Sequence, residues 1–398
     1  AMGNQAMYWK CAGHSNIAMG PNSLKGCATG ATFYNNIGIG ASSGVCLTTG
    51  SANVLIGTAS GNCMATSTDS VAVGHYAGSL TDNWQFVAIG SNAGRCANGG
   101  NIYVGRLAGQ CSSGANVITI GYAANLNGTG SNNISIGQYA TNSITTGYDN
   151  VVLGNCALCS ITTGTYNTGL GNSALRNNTT GSRNTAIGFE AMCASTITQY
   201  SVAIGYRALR FLTTGSYNTA VGDQALVSNT TGQSNVAVGH SALQNNTTGN
   251  DNLAIGMYAL LNTTGSNNVA VGHTAGNCIV GAESNTLIGR GAGVTITGSN
   301  NTGVGRSALG NLTSGQCNIS LGGYSGLTNQ TGNNNIVIGY NQSTSSSSVS
   351  NEITLGNSNS VCFRIPFDGT SCTNICMGMI CTRAPNGAYS AGANILAE

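Results

Sequence analysis

The sequence predicts an all-β fold: a parallel β-solenoid of about 21 coils with irregular caps at its ends. Three observations predict it. Glycine recurs with a period of about 17 residues, a short β-type run sits at one fixed place in each period, and proline is kept out of the periodic region. Residues 205–272 show the period most plainly, as the successive lines YRALRFLTTGSYNTAVG, DQALVSNTTGQSNVAVG, HSALQNNTTGNDNLAIG and MYALLNTTGSNNVAVG. A fixed period of this size marks stacked supersecondary units, each touching only its neighbours.

Each coil carries two glycines. One closes it (Gly188, Gly205, Gly222, Gly239, Gly256, Gly272), and the other lies seven residues earlier (Gly215, Gly232, Gly249, Gly265). Glycine tolerates positive φ and close backbone approach, so the two read as fixed corners. Between them run Asn218-Thr219-Ala220-Val221, Asn235-Val236-Ala237-Val238 and Asn252-Leu253-Ala254-Ile255. Side chains alternate along a strand. The branched residues on either side of the alanine are therefore expected to face the core, and the alanine to face out. A solvated outer column would carry polar residues. A column of small ones predicts contact with another copy of the chain, through Ala72, Ala88, Ala186, Ala203, Ala220, Ala237, Ala254 and Ala270.

The order of the chain fits three segments. Residues 1–16, with Trp9 and Lys10, precede the settled period and are expected to cap the open end of the sheet. Residues 17–356 form the solenoid body, its closing glycines running from Gly20 to Gly356. Pro21 stands at the first corner and Pro366 and Pro385 lie beyond the last coil, so no proline breaks a ladder hydrogen bond between them. Residues 357–398 leave the period and form a cap or docking unit. Its Cys362, Cys372, Cys376 and Cys381 are candidate disulfide partners, since a small irregular unit needs staples.

Cysteines in the body read differently. Cys46, Cys63, Cys96, Cys111 and Cys278 lie six residues after a closing glycine, in coils with glycine two positions earlier (Gly44, Gly61, Gly94, Gly109, Gly276). Coils with Leu175, Leu209, Leu226 or Leu243 at that earlier place lack the cysteine. Leu and Cys thus look like alternative fillers of one core slot, the cysteine acting as a small hydrophobe. Cys46 with Cys63, and Cys96 with Cys111, fall on consecutive coils, which leaves bridges between neighbours open beside buried thiols.

Composition narrows the function. Only 6% of residues are charged and the net charge is +2, which gives no electrostatic case for nucleic acid or an anionic membrane. No run approaches the roughly 20 apolar residues of a membrane helix, and no membrane insertion is expected. The 41% hydrophobic content at a strict period argues for a packed core rather than disorder. The ten acidic residues fall at different offsets in different coils, so no carboxylate pair lines up. His75, His240 and His273 follow closing glycines, where Arg106, Arg290 and Arg306 also stand, a place that reads as a solvated corner. No nucleophile elbow, P-loop or zincin motif occurs. The expectation is no catalytic residue, no metal, no cofactor and no enzymatic activity.

Threonine pairs at the other corner (Thr179-Thr180, Thr213-Thr214, Thr230-Thr231, Thr247-Thr248, Thr263-Thr264) invite an ice-binding reading. Adjacent residues point to opposite faces, however, which leaves one outward column. A hydroxyl that stabilises the turn is favoured. The same loops hold candidate glycosylation sites at Asn178, Asn229, Asn246 and Asn262.

The runs NTAIG, SVAIG, NVAVG and NLAIG resemble the head repeats of YadA-like trimeric autotransporter adhesins, and the related repeats of phage and viral tail-fibre proteins. The resemblance covers residues 15–356. It implies a left-handed parallel β-roll, three chains side by side, and a role in surface attachment. The coils here are longer than the adhesin repeat, and the heptad stalk and β-barrel anchor of those adhesins have no counterpart in this sequence. The expected protein is therefore a structural, adhesive fibre or filament subunit, extracellular, on a cell surface or on a virion. Its partners would be its own copies, as a homotrimer or end-to-end polymer, and a cell-surface receptor or glycan. A monomeric ice- or glycan-binding solenoid is the alternative.

Overall fold

A computed structural model describes residues 1–8, 13–26, 31–80, 85–97 and 100–356, together with the backbone of 381–383 and 389–391. It divides into two compact units, Ala1–Gly356 and Asn357–Glu398. The first is a parallel β-solenoid of 21 three-residue strands, one per coil, from β1 (Ile17–Met19) to β21 (Ile353–Leu355). Consecutive strands pair parallel and in register, as in Ala220↔Ala237 and Ala237↔Ala254. At about 4.8 Å per strand, the ladder runs on the order of 100 Å. In the second unit, β22 (Cys381–Arg383) pairs antiparallel with β23 (Tyr389–Ala391).

Backbone hydrogen bonds join the coils on every wall. Leu209 N donates to Ala225 O at 3.0 Å and Thr213 N to Thr230 O at 2.9 Å, while Gly222 N donates back to Ile204 O at 2.8 Å. The closing glycines are obligatory for two reasons. Gly239 has φ +133°, and a Cβ there would lie 2.7 Å from the carbonyl carbon of Gly256 in the next coil. The first segment obeys the same rule. Met2 bridges Met19 and Gly3 stacks on Gly20, so residues 1–8 repeat the corner of the first coil and belong to the solenoid unit.

The alternation expected of the strands is present, but its phase is reversed. The central residue of each strand from β1 to β20 is buried and its two neighbours are half-buried or exposed. Ala72, Ala88, Ala186, Ala203, Ala220, Ala237, Ala254 and Ala270 are all 0% exposed within the single chain, so the alanine column is core and cannot be a subunit contact. The reason is the narrowness of the coil. The residue four positions after each closing glycine, such as Leu226 or Leu243, crosses the interior and leaves room for little more than a methyl group opposite. At Gly38 even that is too much, since a Cβ would lie 2.7 Å from Leu24 Cγ.

Size is exchanged between the two columns. The large strand centres Leu55, Tyr103 and Leu287 each lie between two glycines at the leucine position: Gly44 and Gly61, Gly94 and Gly109, Gly276 and Gly293. Those glycines therefore make room for the strand centre, not for cysteine. Cys46, Cys96, Cys111 and Cys278 are half-buried and Cys63 is exposed, so the cysteine position faces outward and is not an alternative core slot.

A second internal column runs along the strand entrance. Asn133, Asn150, Asn167 and Asn184 are buried, and each Oδ1 accepts from the backbone N–H of the corresponding residue one coil on, at 3.0–3.1 Å. Each side chain also donates Nδ2 across the coil, as from Asn167 to Gly181 O at 2.9 Å. The ladder resumes after Ser201 and continues from Asn218 to Asn335.

Candidate functional surface

Because small residues fill the strand centre, the branched residues beside it point outward. Of the 42 flanking positions in β1 to β21, all but five (Thr168, Thr185, Thr219, Thr286, Thr302) are Val, Ile, Leu or, at Met19, methionine, and none is charged. Several are more than a third exposed, among them Ile204, Val238, Ile255 and Ile338. Two columns about 7 Å apart over the full ladder make an apolar stripe on the order of 1,000 Å². A typical monomer's largest apolar patch is about 300–600 Å². Among the described residues this stripe is the most unusual surface, and it lies on the face of the strands opposite the alanine column.

The remaining candidate residues fall elsewhere. The histidine corner is solvated as expected: His240 is 40% exposed, with Nδ1 3.4 Å from Asp223 Oδ2 and its ring edge-on to Tyr258. Arg207 and Arg210 each place Nε 2.9 Å from Glu190 Oε2. Among the described residues no group of three or more His, Cys, Asp or Glu is placed to hold a metal, and no helix is long and apolar enough to cross a membrane.

At the threonine corner the first hydroxyl of a pair is spent on the backbone, while the second residues, Thr180, Thr214, Thr231, Thr248 and Thr264, are exposed. Thr179 Oγ1 donates to Thr196 O at 3.1 Å and Thr213 Oγ1 to Thr230 O at 3.0 Å, so these hydroxyls tie successive coils rather than their own turn. Three candidate glycosylation sites are corrected. Asn178, Asn229 and Asn246 are 0% exposed, each closing a turn onto the glycine three residues on, as in Gly181 N to Asn178 Oδ1 at 2.8 Å. Only Asn262 is partly accessible. Chain secreted through a glycosylating route should therefore fold without glycan at the first three. Peptide mapping that found them occupied in folded protein would contradict this placement.

No disulfide joins Cys96 to Cys111 or Cys63 to the preceding coil; Cys63, Cys96, Cys111 and Cys278 carry thiols. Burial, and then the adjacent Cys96, pushes the Cys111 thiol up to about 11, so it stays protonated at neutral pH. Cys362, Cys372 and Cys376 lie outside the described residues, and Cys381 is described only as backbone of β22.

The asparagine ladder ends on a carboxylate. Glu352 takes the asparagine position in the last coil, its backbone N–H donating to Asn335 Oδ1 at 2.9 Å. Burial raises its carboxyl, but hydrogen bonds from the Ser345 and Thr354 hydroxyls and the Ser345 N–H outweigh this and lower it below the usual range. A lowered folded value means the stabilisation is present above the unfolded value and lost as pH falls through the folded one. The last coil should thus loosen selectively in acid, and Glu352→Gln should remove that pH dependence. Hydrogen exchange of residues 340–356 against pH measures it.

Taken together, the architecture defines a β-solenoid repeat protein whose conspicuous surface is an apolar stripe along its strand ladder. The chain matches no family model and no curated protein.

Proposed function

We propose that this chain is a structural subunit of an adhesive fibre or filament, displayed outside the cell or on a virion, and that it assembles as a homotrimer through the outward Val/Ile/Leu stripe. The observation that carries this reading is the stripe itself. An uncharged apolar band this long is poorly suited to water, and its area is close to the ~800 Å² that each partner contributes to a standard stable interface. An in-register ladder offers a similar surface at every coil, so copies of equal length can match one another coil for coil. Two columns suit a closed threefold ring, in which every subunit meets two neighbours. The assembly would be a stiff spacer, with receptor or glycan contact left to the corner loops or the C-terminal unit. Catalysis has no part in this reading.

The alternative of a monomeric ice- or glycan-binding solenoid has weaker support. It needs a broad open polar array, whereas the first threonine of a pair, as at Thr179, Thr213 and Thr230, is committed to a neighbouring carbonyl, which leaves the single exposed column Thr180, Thr214, Thr231, Thr248 and Thr264. Light scattering on a size-exclusion column tests the proposal. A mass near three times 39.9 kDa supports it, a larger species indicates end-to-end polymers, and a monomer overturns it.

A further inference from the structure

The core is apolar in two long stretches and polar between them. One apolar cluster extends from Ala18 to Ala108 and the other from Ala124 to Leu312. The asparagine ladder is interrupted at this place too, as it is two coils earlier at Phe86, where the core stays apolar. Val117 occupies the asparagine position between Asn101 and Asn133; its N–H still donates to Asn101 Oδ1 at 2.6 Å, but it has no amide to pass the ladder on. Two independent columns thus fail at one step of the stack.

At that step two buried polar side chains replace apolar ones. Thr119 is the centre of β7 (Ile118–Ile120), and Asn125 lies four residues after Gly121; both are 0% exposed. Thr119 Oγ1 and Asn125 Oδ1 have no hydrogen-bond partner within the chain, while Asn125 Nδ2 reaches Ser112 Oγ at 3.5 Å. One coil further on Ser135 and Thr141 hold the same two positions and their hydroxyls bond directly at 2.6 Å, so side chains of the two columns meet; the longer Asn125 side chain carries its Oδ1 on toward Gly128. Regular coils fill these positions with an alanine and a leucine, as in Ala220 with Leu226 and Ala237 with Leu243.

We propose that a bound water molecule bridges Thr119 Oγ1 and Asn125 Oδ1 inside the solenoid, and that this hydrated step divides the rod into two separately cooperative blocks. Buried polar atoms that lack a protein partner are satisfied by internal water when two to four polar groups converge. Here the water donates to Asn125 Oδ1 and exchanges a hydrogen bond with the Thr119 hydroxyl, with Ser112 Oγ as a third neighbour. In a stack where each coil touches only its neighbours, stability is a sum of coil and interface contributions, so cooperativity breaks at the weakest interface. Local opening then begins there rather than only at the ends.

The test compares the full chain with Thr119→Ala/Asn125→Leu, which installs the regular pair. Leucine fits that backbone: Asn125 has φ 43° and Leu158, at the same position, 46°. In the wild type, amides of residues 109–135 should exchange about tenfold faster than those of residues 200–270, with two thermal transitions. In the double variant the exchange gap should close and the transitions merge. Water relaxation dispersion should count one fewer long-lived internal water. Uniform exchange with one transition in the wild type would overturn the proposal, as would an unchanged water count in the variant. Should the double variant fail to fold, Thr119→Val, nearly isosteric and lacking the hydroxyl, is read for the same loss of a water.

Discussion

Asn235→Ala should be among the most destabilising single substitutions in the solenoid body, at about 3 kcal/mol. The Asn235 side chain donates to Gly249 O at 2.8 Å and accepts from the backbone N–H and Nδ2 of Asn252, both at 3.1 Å. Alanine strands the Asn252 N–H in a dry interior, a buried orphan costing about 1–3 kcal/mol, and removes one of two donors to Gly249 O, the other being Asn246 Nδ2 at 3.0 Å. The chain contains its own control. Ser201 occupies the same column; its N–H donates to Asn184 Oδ1 at 3.1 Å, and its Oγ accepts from Asn218 N at 3.2 Å. Asn235→Ser therefore keeps the upward acceptor, although it loses the bond across the coil, and should cost about half as much. Guanidinium unfolding of the two variants makes the comparison. Equal losses would show that the side-chain ladder is not what holds the coils in register.

The period, the strand positions and the corner glycines were legible in the sequence because backbone geometry imposes them. A closing glycine with φ near +135° and a neighbouring carbonyl against its α-carbon admits nothing else. Which face of the strand points inward was not legible. Hydrophobicity favoured the branched pair as core, since Val and Ile usually stand inside. The deciding fact is the cross-section of the coil, and that depends on Leu226 reaching across to Ala220 and Ala237. A signal was nevertheless present. Leu55, Tyr103 and Leu287, the largest strand centres, coincide with glycine at the leucine position in the coils on both sides. Such a size exchange occurs between residues that touch, and it places both columns in one interior. The asparagine column was visible too, at most strand entrances, but its role was not. Its inter-coil bonds follow from stacking, which no single coil reveals.

The reversed phase yields the second large effect, because the two candidate interfaces make opposite predictions. Val238 and Ile255 are 36% and 40% exposed and face out of the chain, so lysine at both leaves the coil's own contacts intact. Within a trimer the same substitutions set unpaired charges into an apolar contact, where each costs several kcal/mol. Val238→Lys/Ile255→Lys should therefore keep the far-ultraviolet circular dichroism of the wild type while the mass falls from three times 39.9 kDa to one. Ala237→Leu should do the reverse. Ala237 lies between Ala220 and Ala254 with no exposed surface, and added methylenes in a filled core typically cost about 1–3 kcal/mol. It should lower the melting temperature without dissociating the protein that remains folded. A double-lysine variant that stays trimeric would remove the stripe as the contact. An Ala237→Leu variant that is stable but monomeric would restore the alanine column, which a buried methyl group cannot explain.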